Sequence, residues 1–271
     1  MRVFMTGGAG YIGGATAEAL LAAGHTVTVY DNLSRGHRDA VPPDAEFVRG
    51  DIGNRDALQA ALSASPFDVV FHFAALIEAG ESMEKPGLYF RNNVGYSHNV
   101  IDAALQTGCR HFVLSSTAAV YASSDQPLHE DSVLGPANAY GETKLMIERM
   151  LYWYWQVHGL RHAVLRYFNA CGALHGRGEA HQPETHLIPR VLQVALGQRE
   201  HIQLYGSDYP TPDGSCIRDY IHIADLVEAH LLAASALEQR ETVVYNIGTG
   251  AGHSNREIIA MAREVTGHII P

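Results

Sequence analysis

The segment from Val3 to Asp31 constrains this chain more than any other. Val3-Phe4-Met5 is a short apolar run that ends in Gly7-Gly8-Ala9-Gly10-Tyr11-Ile12-Gly13. Ala15, Ala19, Leu20 and Ala23 then recur at helical spacing as far as Gly24, and Thr26-Val27-Thr28-Val29-Tyr30 reads as a second strand ending at Asp31. Strand, glycine turn, helix, strand and terminal acid make up the βαβ unit that binds a dinucleotide. In that unit Gly7 allows a tight turn, Gly10 lets the backbone approach a pyrophosphate, and Gly13 lets the helix pack on the strand. The phosphates lie at the helix N-terminus, where free N–H groups and the helix dipole favour negative charge. A glycine pattern alone is a weak signal; a plain structural turn would not need the acid. Asp31 is placed to accept from ribose hydroxyls and to repel a 2′-phosphate, so NAD is expected over NADP, although Arg35 and Arg38 lie nearby.

The pattern continues. Glu46 to Gly50 reads as a third strand, followed by Asp51-Ile52 and a helix through Leu58 and Leu62. Phe67 to Phe73 is a strand leading into Ala74-Ala75, small residues beside which a cofactor can pack. His72 lies inside that apolar strand and reads as a core histidine rather than a ligand. One long helical stretch is expected to carry Asn92-Asn93-Val94, Val100-Ile101 and Ala103-Ala104-Leu105. Arg110 to Leu114 is a fifth strand with Ser115-Ser116-Thr117 at its C-terminal end, and ligands in open α/β sheets bind outside the carboxyl ends of strands. Asn138-Ala139 then opens a helix holding Tyr140 and Lys144.

Four residues of spacing place the phenol of Tyr140 and the ammonium of Lys144 on one helix face. A Lys⁺ beside a phenol favours the phenolate, so the pair is expected to lower a pKa that starts near ~10 and to make Tyr140 an acid–base group near neutrality. Two polar residues on an exposed helix face would give the same spacing by chance. The order strand end, loop, then Tyr-x-x-x-Lys helix is more specific, because it brings Thr117 beside Tyr140.

Composition narrows the class. A chain of 271 residues buries a substantial core. Its formal charge of −10 argues against nucleic acid as a partner, since phosphate backbones need a basic face. Cys109, Cys171 and Cys216 are odd in number and lack C-x-x-C spacing, which fits a reducing compartment. Without a signal-like N-terminal stretch or an apolar run of membrane-spanning length, no membrane partner and a cytoplasmic location are expected.

Several longer stretches are specific. Thr6 to Gly13, Asp31-Asn32-Leu33, Gly50-Asp51-Ile52, His72 to Ala75, Gly80-Glu81-Ser82, Asn92-Asn93-Val94, Ser115 to Tyr121, and Tyr140 with Lys144 resemble the UDP-glucose 4-epimerases of the extended short-chain dehydrogenase/reductase family. So do Leu165 to Asn169, Tyr205 to Gly214 and Ile217 to Leu226, and the resemblance runs along the whole chain. It implies an α/β fold: a doubly wound parallel sheet (Rossmann) over residues 1–168, to which segments of 215–250 return. A smaller, intertwined substrate lobe over 169–271 follows, and its C-terminal part is expected to be missing. It implies reversible 4-epimerisation of a UDP-hexose through a transient 4-keto sugar with bound NAD. Gly7, Gly10, Tyr11, Ile12, Gly13, Asp31, Asn32, Asp51, Ile52, Phe73, Ala74 and Asn92 would hold NAD. Tyr140, Lys144 and Phe168 would lie at its nicotinamide end, with Thr117, Tyr140 and Lys144 catalytic. Thr117, Asn169, His186, Leu187, Tyr205 and Arg218 would meet the UDP-sugar. Arg218 suits a diphosphate because its guanidinium is planar and bidentate; Tyr205 would offer an aromatic face to uracil.

Two departures stand out. Relatives often carry Asn where His186 stands. They also continue past Pro271 into a stretch that holds a further phosphate arginine and the residue deciding whether an N-acetyl group fits, so the chain is expected to be partial. Other readings share the scaffold. A 4,6-dehydratase needs an acid–base pair after Thr117, where Ala118-Ala119 stand. An epimerase of another UDP-sugar (N-acetylhexosamine or pentose), and a non-catalytic nucleotide-sensing domain, remain as alternatives. The Gly- and His-rich loop 172–186 contains His175, His181 and His186, whose spacing suits no common zinc pattern, so no metal is expected and closure over substrate is the anticipated role. Helix surfaces from Val94 to Leu105 and Met146 to Trp155 would form the family's paired-helix homodimer face.

Overall fold

Alternation along the apolar runs builds the core from both sides of one sheet. In β1 (Arg2–Thr6), Val3 and Met5 face one way and Phe4 the other. A computed structural model of the chain describes residues 1–124 and 126–271. After β1 come α1 (Tyr11–Ala22), β2 (Thr26–Asp31), β3 (Glu46–Arg49), α2 (Arg55–Ser63) and β4 (Val69–His72). In β2, Val27 and Val29 join Val3 and Met5, while Tyr30 joins Phe4, and β4 repeats the split with Phe71 opposite Val70. Each large apolar side chain enclosed this way stabilises the fold by roughly 1.5–3 kcal/mol.

Next come α3 (Ala79–Glu84) and α4 (Pro86–Tyr89). The expected helical stretch carrying Asn92 to Leu105 is present, as a π-helical turn over Phe90–Gly95 that is continuous with α4 and runs directly into α5 (Tyr96–Gln106). Pro86 separates α3 from α4, because the residue before a proline is pushed out of the α region, and Lys85 sits at φ −127°, ψ 53°. The π turn presents Asn93 inward. Its Oδ1 accepts from the N–H of Leu76 at 2.9 Å, while Nδ2 donates to the Leu76 carbonyl at 2.9 Å and to Thr143 Oγ1 at 3.1 Å. Asn93 thus clamps the segment after β4 against the helix that carries Tyr140.

β5 (His111–Thr117), α6 (Ala139–His158), β6 (Arg161–Tyr167), β7 (Asn169–Cys171), α7 (Leu187–Ala195), β8 (Ile217–His222), α8 (Ile223–Ala236), β9 (Thr242–Ile247), β10 (Gly252–Ser254) and α9 (Asn255–Thr266) complete the chain. The large sheet has the order β3-β2-β1-β4-β5-β6-β9, with every pair parallel. All seven strands therefore end on one edge. The chain crosses from β3 back to β4 at β1, and that switch point opens the crevice where such sheets bind ligands. α1 and α8 pack on one face of the sheet; α2, α5 and α6 lie on the other. A three-stranded sheet, β10-β8-β7, stands beside the strand ends, and α7 packs on α9 through Val191, Val194 and Ile259. No described helix is long and apolar enough to cross a membrane.

Candidate active site

The glycine loop is pressed into place by its neighbours. Gly7 has φ +75°, and a Cβ there would stand 2.5 Å from the amide nitrogen of Ala74. A Cβ on Gly13 would stand 2.4 Å from the Gly7 carbonyl oxygen. The first fixes the turn against the end of β4 and the second seats α1 on the loop. Gly10 is the N-cap of α1 and supplies no capping side chain, and no acid occupies the first turn, so these N–H groups remain available to an anion. At the end of β2, Asp31 accepts from the N–H of Ala9 at 3.0 Å and of Leu33 at 2.8 Å. Burial raises its pKa, and those two bonds oppose the rise. Two of the roughly four lone-pair sites of its carboxylate are used, which leaves acceptor capacity for hydroxyls. Asn32 donates to Asp51 Oδ2 at 2.8 Å, tying the acid after β3 to the residue that follows Asp31.

This cradle fits a dinucleotide: an uncapped helix N-terminus, glycine contacts that a Cβ would destroy, and an acid one strand away. It opens into a cavity of ≈ 1300 Å³ lined by Gly7, Gly10, Tyr11, Ile12, Gly13, Asp31, Asn32, Asp51, Ile52, Phe73, Ala74 and Asn92. Thr117, Tyr140, Phe168, Asn169, His186, Leu187 and Arg218 line the same cavity. Of the residues singled out from the sequence, Lys144 and Tyr205 are not on its wall.

Tyr140 stands in the first turn of α6, where Asn138 caps the helix by accepting from Gly141 N–H at 2.8 Å. Its own N–H donates to Ser82 Oγ at 3.1 Å, so the Gly80-Glu81-Ser82 segment holds the start of the helix. The electrostatics differ from the expectation. The Tyr140 pKa is pushed up to about 12, because burial penalises the phenolate and Glu78 adds to the rise; only the Thr117 hydroxyl works the other way. Lys144 gives the phenol no resolved help. The residue is 2 % exposed, its ammonium donates to the Ser115 carbonyl at 2.7 Å, and burial lowers its pKa to about 8 while Glu148 partly restores it. In the free site desolvation thus outweighs the attraction that helical spacing suggested.

Beneath the strand ends lies a buried network that sequence reasoning missed. Glu148, one turn after Lys144, accepts from Ser116 Oγ at 2.5 Å and from Arg166 Nη2 at 2.7 Å. Arg166 also donates to Tyr121 Oη at 2.8 Å, and Tyr121 donates to Asn246 Oδ1 at 2.6 Å. The network joins β5, α6, β6 and β9 under Thr117 and Tyr140. The available signal was a charged residue in each of two apolar elements, at Glu148 and Arg166. His72 is a satisfied core residue as expected, bonded to Thr6 Oγ1 at 2.7 Å and Ser97 Oγ at 2.6 Å, and burial drives its pKa down to about 3.

On the opposite wall, Asn169 donates to the Asp219 carbonyl at 2.8 Å. Asp219 does not pair with Arg218; its carboxylate accepts from Thr249 N–H at 2.9 Å and Gly250 N–H at 2.8 Å. Arg218 is exposed, donates to the Ile217 carbonyl at 3.1 Å, and has no carboxylate partner among the described residues. Tyr205 corrects an expectation. It lies in an irregular segment, is 65 % exposed, and donates to Gln203 Oε1 at 3.2 Å, so no sheet turns its ring toward the cavity. Loop 172–186 lies across the cleft. Tyr11 Oη donates to the Gly172 carbonyl at 2.7 Å, Arg35 to that of Gln182 at 2.9 Å, and Thr185 Oγ1 to Glu78 Oε2 at 2.6 Å. Its histidines separate: His175 sits 3.4 Å from Glu18, whereas His181 and His186 come together with Glu179, their ligand-type atoms all within 4.8 Å.

Residues 3–248 match the NAD dependent epimerase/dehydratase family. The UDP-glucose 4-epimerase of Corynebacterium glutamicum is 47% identical over 272 residues, covering 100% of this chain and 82% of the relative. That of Halalkalibacterium halodurans is 48% identical over 275 residues, with the same coverage of 100% and 82%. The crystal structure of UDP-glucose 4-epimerase from Brucella ovis in complex with NAD superposes with a TM-score of 0.96 at 45% identity, covering 100% of this chain and 84% of that one.

Proposed function

We propose that this chain, which belongs to the NAD dependent epimerase/dehydratase family, is a UDP-glucose 4-epimerase that interconverts UDP-galactose and UDP-glucose with NAD as its cofactor. One observation carries the reading: the α1 N-terminus, Asp31, Thr117, Tyr140 and Arg218 all line a single cavity. In it the N-terminal turn of α1 would hold the pyrophosphate and Asp31 the adenosine ribose, with Asn32, Asp51, Ile52, Phe73, Ala74 and Asn92 along the cofactor. Bound NAD would supply the hydride-accepting and hydride-returning chemistry at C4 of the sugar. The chain's own residues do the rest. Tyr140 accepts the proton of the 4′-hydroxyl through Thr117 and later returns it. With a pKa of about 12 in the free site, Tyr140 holds its proton until positive charge is brought beside it. Base strength is thereby tied to an occupied cofactor site. Arg218, free of a carboxylate partner among the described residues, binds the diphosphate, and Asn169, His186 and Leu187 position the sugar nucleotide. Residues 1–168, joined by segments of 215–250, form the nucleotide half in this proposal, and the remainder of 169–271 forms the substrate lobe.

The test is turnover of UDP-galactose by purified protein and by Tyr140→Phe. The variant should keep its fold and bound NAD and lose about 10²–10⁴ in kcat, the usual contribution of a positioned acid–base group. Full activity in the variant would overturn the assignment. UDP-N-acetylgalactosamine in the same assay defines the sugar range. The proposal extends to a homodimer on the outer faces of α5 and α6, where Tyr152, Trp153 and Val157 are exposed. Light scattering at twice 29.5 kDa supports it and a monomer mass refutes it. Three free cysteines support a cytoplasmic setting.

A further inference from the structure

Three donor atoms in the loop across the cleft converge on one point. His181 Nδ1 lies 3.1 Å, and His186 Nδ1 3.2 Å, from the same oxygen, Glu179 Oε1. Around a tetrahedral ion with bonds of 2.0–2.2 Å, neighbouring ligand atoms stand about 3.3 Å apart. Glu184 Oε1 is 2.8 Å from His186 Nδ1, beside the same cluster. We infer that Glu179, His181 and His186, with Glu184 adjoining, bind a divalent metal ion of the Zn²⁺ class that fastens loop 172–186 over the mouth of the cleft.

Charge and hydrogen-bond accounting both point to a cation. The side chains of Glu179 and Glu184 are only 10% and 6% exposed, and among the described residues no lysine or arginine pairs with either. Arg35, which reaches the loop, is engaged with the Gln182 carbonyl and with Glu81. Two enclosed carboxylates with no lysine or arginine beside them among the described residues favour a cation in their midst. Without a metal, His186 Nδ1 has at most one proton to share between Glu179 and Glu184. A divalent ion neutralises both carboxylates and accepts a lone pair from each ring. Two imidazole nitrogens and carboxylate oxygen suit Zn²⁺ and its neighbours in the transition series, whereas Mg²⁺ and Ca²⁺ prefer six or more oxygens. The ligands fall within eight residues, 179–186, of a loop already bonded to Tyr11, Arg35 and Glu78. Metal binding there would lock a strap between the small lobe and the nucleotide crevice. His175 is excluded by position, since it is turned toward Glu18 and exposed.

The experiment strips purified protein with a chelator, removes the chelator, and titrates Zn²⁺ by calorimetry and Co²⁺ by its visible absorption. The wild type, His181→Ala, Glu179→Gln and His175→Ala are compared, each checked for intact circular dichroism. One Zn²⁺ per chain is expected in the wild type and in His175→Ala. Outer-sphere partners alone are worth 10–100-fold in affinity, so loss of a ligand should weaken Zn²⁺ by more than about 100-fold in the other two variants. Intense tetrahedral Co²⁺ bands should vanish with them, Mg²⁺ should not compete, and Zn²⁺ should slow proteolysis within 172–186. Wild type binding no more tightly than His181→Ala and Glu179→Gln, or His175→Ala failing alongside them, would overturn the site. Because the readouts are affinity, spectrum and proteolysis, they stand apart from the epimerase assay.

Discussion

Replacing Lys144 with methionine isolates the energetic cost of enclosing its charge. Burial lowers the pKa of Lys144 from 10.5 to about 8. A lysine with a depressed native pKa binds fewer protons folded than unfolded between those two values, so stability rises with pH across that window. At pH 7 the group weakens the fold by about 3 kcal/mol, and at pH 10 by about 1 kcal/mol, from the proton-linkage relation with these two pKa values. Lys144→Met keeps the length and apolar stem of the side chain and removes the proton. It also forfeits the 2.7 Å bond to the Ser115 carbonyl, which the neutral amine can donate as well as the ammonium, so that loss is shared by both pH values. The quantity to measure is therefore a double difference. Urea unfolding of wild type and variant at pH 7 and pH 10 should show the wild type gaining about 2–3 kcal/mol on the variant as pH rises. Titration of all other groups cancels in the comparison. A double difference below about 1 kcal/mol would mean that Lys144 titrates near its ordinary value and that its burial carries no such cost.

Two further outcomes follow from the packing around the same residues. Glu148→Gln should destabilise the protein by about 3–5 kcal/mol, since it leaves Arg166, 6% exposed, as an unpaired buried charge; Glu148→Leu combined with Arg166→Met should recover most of that loss in urea unfolding. Gly13→Ala places a methyl 2.4 Å from the Gly7 carbonyl, so NAD released on denaturation should fall sharply and the fold should lose about 1–3 kcal/mol or more, with unchanged NAD content as the refuting result.

Much of the fold was legible because its elements obey simple periods. β1, β2 and β4 alternate between two apolar faces, and the positions of Val3, Phe4 and Met5 follow from period two alone. α6 carried its own boundaries, with Asn138 as cap and Gly159 at φ +69° as stop. The failures were equally physical. The stretch from Asn92 to Leu105 reads correctly as helical, but the π turn that aims Asn93 inward leaves no periodic trace. β7 and β10 are three residues long and exist because β8 lies between them, which only tertiary structure decides. Tyr205 was assigned an aromatic wall without a strand to present it.

At the site, the residue types were legible but the energies were not. Spacing put Lys144 beside Tyr140, and a through-space attraction was the natural reading. The sheet instead gives the ammonium to the Ser115 carbonyl, and burial sets the sign of both pKa values. A linear spacing rule can count neighbours, but the desolvation that decides between phenol and phenolate depends on what packs around them. The loop fails by the same logic. Scanning histidines alone grouped His175 with His181 and His186, whereas the folded loop turns His175 toward Glu18 and brings in Glu179, two residues before His181. Ligand sets on irregular backbone are fixed by the tethers of the loop, and here those tethers run to Tyr11, Arg35 and Glu78 in the nucleotide half. The proposed dinucleotide crevice and the proposed metal strap are therefore coupled parts of one cleft: whatever orders residues 179–186 also closes over Tyr11 and the start of α1.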